Sequence, residues 1–88
     1  MKKIIRLYVE DVSGKDINFI VDAYFSGYTI YCTGGTWNRE KEKSLSIEIL
    51  TDKKTDIYLA ESLAIFLKKD YNQYAVIVTV QDIDYKII

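Results

Sequence analysis

Apolar and polar residues alternate at the start of this chain. Ile5, Leu7 and Val9 interleave with Arg6, Tyr8 and Glu10, which predicts a strand with one buried face over residues 4–10. After Ser13-Gly14 the period changes. Ile17, Ile20, Val21, Tyr24 and Phe25 share one face of a short helix, with Ser13 or Asp16 as its N-cap and Gly27 as the left-handed residue that stops it. Residues 28–33 read as a second strand, with Ile30 and Cys32 on one face and Thr29, Tyr31 and Thr33 on the other. Gly34-Gly35-Thr36-Trp37-Asn38 and the charged run 39–43 read as a loop. A third strand over 44–50 follows, with Leu45, Ile47 and Ile49 inward and Ser44, Ser46 and Glu48 outward. A second helix over 56–69, capped by Asp52 or Thr55, buries Ile57, Ala60, Leu63, Ala64 and Leu67. Residues 74–80 form an uncharged run expected to be a strand buried on both faces. Residues 82–88 either continue it as an edge or pair elsewhere.

The order is β-α-β-β-α-β, with no linker, repeat or low-complexity tract. Right-handed crossovers then give an α+β, ferredoxin-like sandwich, a single domain over residues 1–88. Its four-stranded antiparallel sheet carries two helices on one face and leaves the other open. That open face is expected to present Arg6, Tyr8, Glu10, Thr29, Tyr31, Thr33, Ser44, Ser46 and Glu48, with Ile77 and Thr79.

Composition narrows the function classes. At 88 residues, 49% hydrophobic and 28% charged, the chain builds one globular core. Twelve basic against thirteen acidic residues leave a net charge of −1, which argues against holding nucleic acid or anionic lipid by bulk charge. There is no histidine, so histidine-based triads and the commonest metal ligand are excluded. Cys32 is alone, which rules out an intramolecular disulfide and suits an inert core position. No apolar run approaches the ~20 residues of a membrane span, so a cytoplasmic protein without a membrane partner is expected. No motif calls for a cofactor. Eight tyrosines, no proline and abundant Ile, Lys and Asn suit the AT-rich coding of a low-GC bacterium or its phage.

Candidate chemistry gathers after the second strand. Gly34 and Gly35 can form a backbone nest for an anion, Trp37 can stack on a ring, and Arg39 can pair with a phosphate. The alternative is a long hairpin loop whose tryptophan folds back onto the sheet. Arg39, Lys41 and Lys43 alternate with Glu40 and Glu42, which puts bases on one side and acids on the other. Tyr8 and Tyr31 on the open face can stack bases or support a dimer contact. Asp82 and Asp84 are spaced like metal carboxylates but lack companions, and read as surface charge.

The stretch GYTIYCTGGTWNREKEKSLSIEIL resembles small phage and prophage proteins in which a strand, a glycine-tryptophan loop and an EKSLSIEI-like strand lie between two helices of a ferredoxin-like domain. The resemblance implies a phage-encoded protein that counters a host defence, in the manner of oligomeric sponges for nucleotide immune signals. The expectation is therefore a homo-oligomer, a dimer or higher, that is not an enzyme. It binds a small anionic nucleotide-type ligand through Tyr8, Tyr31, Gly34, Gly35, Thr36, Trp37, Asn38 and Arg39. The alternative is a protein-interaction module that dimerises through its sheet or inhibits a host protein.

Overall fold

A computed structural model describes residues 1–88, apart from the side chain of Trp37. The elements are β1 (Lys3–Glu10), α1 (Ile17–Asp22), β2 (Thr29–Trp37), β3 (Glu40–Thr51), α2 (Lys54–Asp70) and β4 (Ile77–Asp82). They build one four-stranded antiparallel sheet in the order β2-β3-β1-β4, the ferredoxin-like arrangement expected.

The period-two pattern sets the register. Ile5, Leu7 and Val9 of β1 lie opposite Ile49, Ile47 and Leu45 of β3, and all six are buried in one layer. α2 covers that layer with Ala60, Leu63, Ala64 and Leu67, and α1 adds Ile17 and Val21. Ile57 packs at the margin of the same core, half-buried.

Four local expectations are corrected. The first helix spans only six residues, with Asp16 as its N-cap accepting from Phe19 N at 3.2 Å. It ends at Ala23 through tightened bonds such as Tyr24 N to Val21 O, 2.9 Å, without a left-handed Gly27. Tyr24 and Phe25 still pack on the core as the stripe requires. The second helix takes Lys53 as N-cap, with no side-chain cap bond; Thr51 Oγ1 instead accepts from Lys53 N at 2.9 Å. β4 is an edge strand and not buried on both faces: Ile77 and Val80 are exposed, and Val78, with Val76 just before the strand, leans on the core. Cys32 is exposed rather than core, although it lies opposite the buried Leu45 on the helix side of the sheet.

The chain after Asp82 stays beside β1. Ile83 N donates to Lys2 O at 3.2 Å, and Lys2 Nζ donates to Tyr85 O at 2.6 Å. Asp82 pairs with Lys3 and Asp84 with Lys2, so both carboxylates answer lysines. Among the described residues, no helix is long and apolar enough to cross a membrane.

Candidate functional site

The supposed loop after the second strand is strand. Gly34, Gly35 and Thr36 pair with Lys43, Glu42 and Lys41, and the charged run 40–43 belongs to β3. Only Asn38 and Arg39 form the turn, at φ 50° and 67°. Two consecutive left-handed residues are the geometry of a two-residue hairpin turn whose twist matches its strands. Neither Gly34 nor Gly35 has a positive φ, so the expected backbone nest is not formed. The side chain of Trp37, named as a stacking platform, lies outside the described residues.

The register sorts the ribbon by charge. Positions 29, 31, 33 and 35 of β2 lie opposite Glu48, Ser46, Ser44 and Glu42, on the open face. Gly34 and Thr36 lie opposite Lys43 and Lys41, on the helix side, where they line a shallow trough of about 580 Å³. Bases and acids thus take opposite sides, as their alternation predicts. The consequence runs against an anionic ligand: the aromatic face carries the acids. Arg39 is also remote from the tyrosines. It stands seven residues beyond Ser46 along the ribbon, about 24 Å at ~3.4 Å per residue. One monomer therefore does not bring Arg39 to Tyr8 or Tyr31.

The two tyrosines themselves are brought together. Ser46 of β3 lies opposite both Tyr8 of β1 and Tyr31 of β2, and Ile77 of β4 completes the row. Tyr8 and Tyr31 are thus two strand spacings apart, about 9–10 Å. Ser46 between them is only 6% exposed while Tyr31 is 48% exposed. Ser46 is thus covered by its neighbours, and the two tyrosines flank it on the open face. In the adjacent row Arg6 Nε donates to Glu48 Oε2 at 3.2 Å, which engages the one guanidinium on this face.

Beyond the tyrosine row the open face deepens into a cleft of about 200 Å³, lined by Tyr8, Glu10, Glu42, Ser44, Gln73 and Ile77, with the exposed Tyr74 at its rim. Gln73 reaches this place through the end of α2. Asn72 takes φ 51° and its N–H donates to Lys69 O at 3.2 Å; Gln73 N donates to Lys68 O at 2.9 Å. These two bonds are the Schellman closure, which returns the chain onto the sheet. The Gln73 amide then clamps Glu10: its Oε1 accepts from Glu10 N at 3.3 Å, and its Nε2 donates to Glu10 Oε2 at 3.1 Å. Two carboxylates and aromatic rings in one concavity suit a ligand that is cationic and partly aromatic. Among the described residues, no group of three metal-ligating side chains comes together. Sequence reasoning missed Gln73, Glu42 and Tyr74 because each joins the site through tertiary placement.

No protein-family model and no curated protein matches this chain. Solved structures do. A phage SAM lyase in complex with S-methyl-5'-thioadenosine is 19% identical over 92% of this chain and 81% of its own, with a TM-score of 0.72. A phage SAM lyase in the apo state is 21% identical over 90% of this chain and 78% of its own, at 0.67. A de novo designed protein, Foldit4, is 18% identical over 94% and 97%, at 0.53. The shared property is the fold, and the expected resemblance to phage proteins is met at the level of fold alone. The expectation that this chain is no enzyme is corrected. It rested on the missing histidine, activated nucleophile and metal-ligand cluster, and the fold the chain adopts is one on which a lyase is built.

Proposed function

We propose that this chain is a phage-type enzyme of the host cytoplasm that binds an adenosyl sulfonium, such as SAM, and cleaves a carbon–sulfur bond to leave a neutral thioether. The observation that carries this reading is the acidic, aromatic cleft on the open face of a fold shared with a SAM lyase. The adenine ring stacks between Tyr8 and Tyr31 over Ser46. The sulfonium lies toward Glu10 and Glu42, where carboxylates and ring faces both favour a cation. The chemistry fits a chain without histidine. When the bond breaks, its electron pair goes to sulfur and the positive charge disappears, so the leaving thioether needs no proton donor. The other fragment loses a proton or closes on its own nucleophile, and a carboxylate in the cleft is the available base. At about 200 Å³ the cleft is smaller than the ~300–1,000 Å³ usual for such ligands, and a second copy against the open face would enlarge it. A homo-oligomer is therefore part of the proposal.

The test is incubation of the purified protein with SAM, followed by chromatography for S-methyl-5'-thioadenosine. Thioether formation that is lost in Glu10→Gln and Glu42→Gln proteins is the expected result. SAM that remains intact over hours at micromolar enzyme overturns the lyase assignment. Calorimetry that detects no binding of SAM or of the thioether overturns the site.

A further inference from the structure

β2 is an edge strand of nine residues and carries no charged side chain. In a chain that is 28% charged this is unusual, because exposed edges are ordinarily blunted by lysine, proline or a bulge. Every second residue of β2 turns its N–H and C=O away from β3, toward whatever lies outside the sheet. We infer that a second copy of this chain covers that edge. Two β2 strands would pair antiparallel about a dyad at Thr33 and join two sheets into one of eight strands. This contact uses the edge and leaves Tyr8, Glu10 and Glu42 uncovered; it shares only Tyr31 with the proposed site, and its test reads the pairing and not ligand binding.

The self-pairing is argued from the order of side chains about Thr33. An antiparallel dyad there sets Thr33 against Thr33, a favourable cross-strand pair. It sets Tyr31 of each copy against Gly35 of the other, and Cys32 against Gly34. Gly34 leaves a notch that Cys32 fills, while at Gly35 the chain's own Ser44 Oγ stands 3.2 Å from where a Cβ would be, so Tyr31 lies across the glycine backbone beside Ser44. An aromatic ring laid over a neighbouring strand's glycine is a known way to stabilise such a position. A side chain built at Gly34 would meet nothing in its own chain within 4 Å, so that notch is open. Tyr31 and Cys32 are both exposed and available for these contacts. Ile30 falls against Thr36, again without charge, and no pair in the register repels. The contact is isologous, so it closes at two copies and does not propagate into a fibre.

The test is disulfide trapping at the dyad. In a Cys32→Ser background, Thr33→Cys puts two thiols on directly opposed residues with Cα atoms about 4.5–5.5 Å apart, inside the range a disulfide bridges. Thr29→Cys in the same background is the control, since two copies of residue 29 lie about 27 Å apart across that dyad. Mild oxidation is expected to convert the Thr33→Cys protein to a covalent dimer and leave the Thr29→Cys protein as single chains. Cys32→Lys, which places like charges beside the dyad without touching the open face, is expected to remove this contact, with circular dichroism unchanged. Equal trapping of both cysteine variants overturns the inference. So does no trapping of either, as would follow if β2 paired with β4 of another copy. Wild-type protein that sediments as one chain at hundreds of micromolar overturns it as well.

Discussion

The hydroxyl of Tyr71 is buried without a hydrogen-bond partner among the described residues, and burial pushes its pKa up. A buried donor left unpaired costs about 1–3 kcal/mol, so Tyr71→Phe is expected to stabilise the chain by about 1 kcal/mol in urea titrations. Tyr28 is raised for another reason: its hydroxyl donates to the Asp22 carboxylate. Both phenols hold their protons more tightly folded than unfolded. The stability this carries is full below about pH 10 and is lost as pH rises through the raised folded values. Melting temperatures should therefore fall above pH ~10, and less steeply in a Tyr28→Phe, Tyr71→Phe double variant. Arg39 gives a sharper test of a residue's role. At φ 67° in a two-residue hairpin turn, glycine is the preferred occupant, so Arg39→Gly is expected to stabilise by about 0.5–1 kcal/mol. If it also leaves ligand binding unchanged, its distance from the tyrosine row is the reason. Loss of binding would return Arg39 to the site.

At the scale of elements, the alternation in β1 and β3 carried enough information to place Tyr8 and Tyr31 on one face, because strand period alone decides which side a residue takes. It did not disclose the hairpin. Two glycines followed by charge look like a loop, and the actual turn, Asn38-Arg39, lacks the glycine that would mark it. The same limit hid the Glu10–Gln73 clamp, which joins residues 63 apart through the end of α2. That end depends on Asn72 at φ 51°, a conformation asparagine tolerates and β-branched residues do not. Asn72→Val should cost about 1–2 kcal/mol, by the penalty for a side chain held in the left-handed region. It should also weaken ligand binding more than Asn72→Gly does, because Gln73 would no longer be held over Glu10. Equal binding by the two variants would mean the closure serves stability alone.

For the whole molecule, the net charge of −1 hides a separation that decides ligand class. The ribbon sends Lys41 and Lys43 to the helix side, and Glu42 to the cleft beside Glu10. A cationic ligand on the open face is therefore attracted locally while the molecule as a whole is nearly neutral. SAM and its demethylated thioether, S-adenosylhomocysteine, offer a matched pair for measuring this, since the two differ only by the methyl group that makes the sulfur a sulfonium. A carboxylate about 5 Å from a unit positive charge contributes between about 1 kcal/mol in a water-like surround and about 3 kcal/mol in a partly desolvated one. Glu42→Gln should therefore weaken SAM roughly 5- to 150-fold and leave the thioether nearly unchanged. Tyr31→Ala should weaken both by the same factor, because stacking reads the adenine they share. Raising salt should erode the SAM preference of the wild type and have little effect on the Glu42→Gln protein. Calorimetry with the two ligands at two salt concentrations separates these terms. If Glu42→Gln weakens both ligands alike, the carboxylate shapes the cleft without reading charge, and the sulfonium must lie elsewhere.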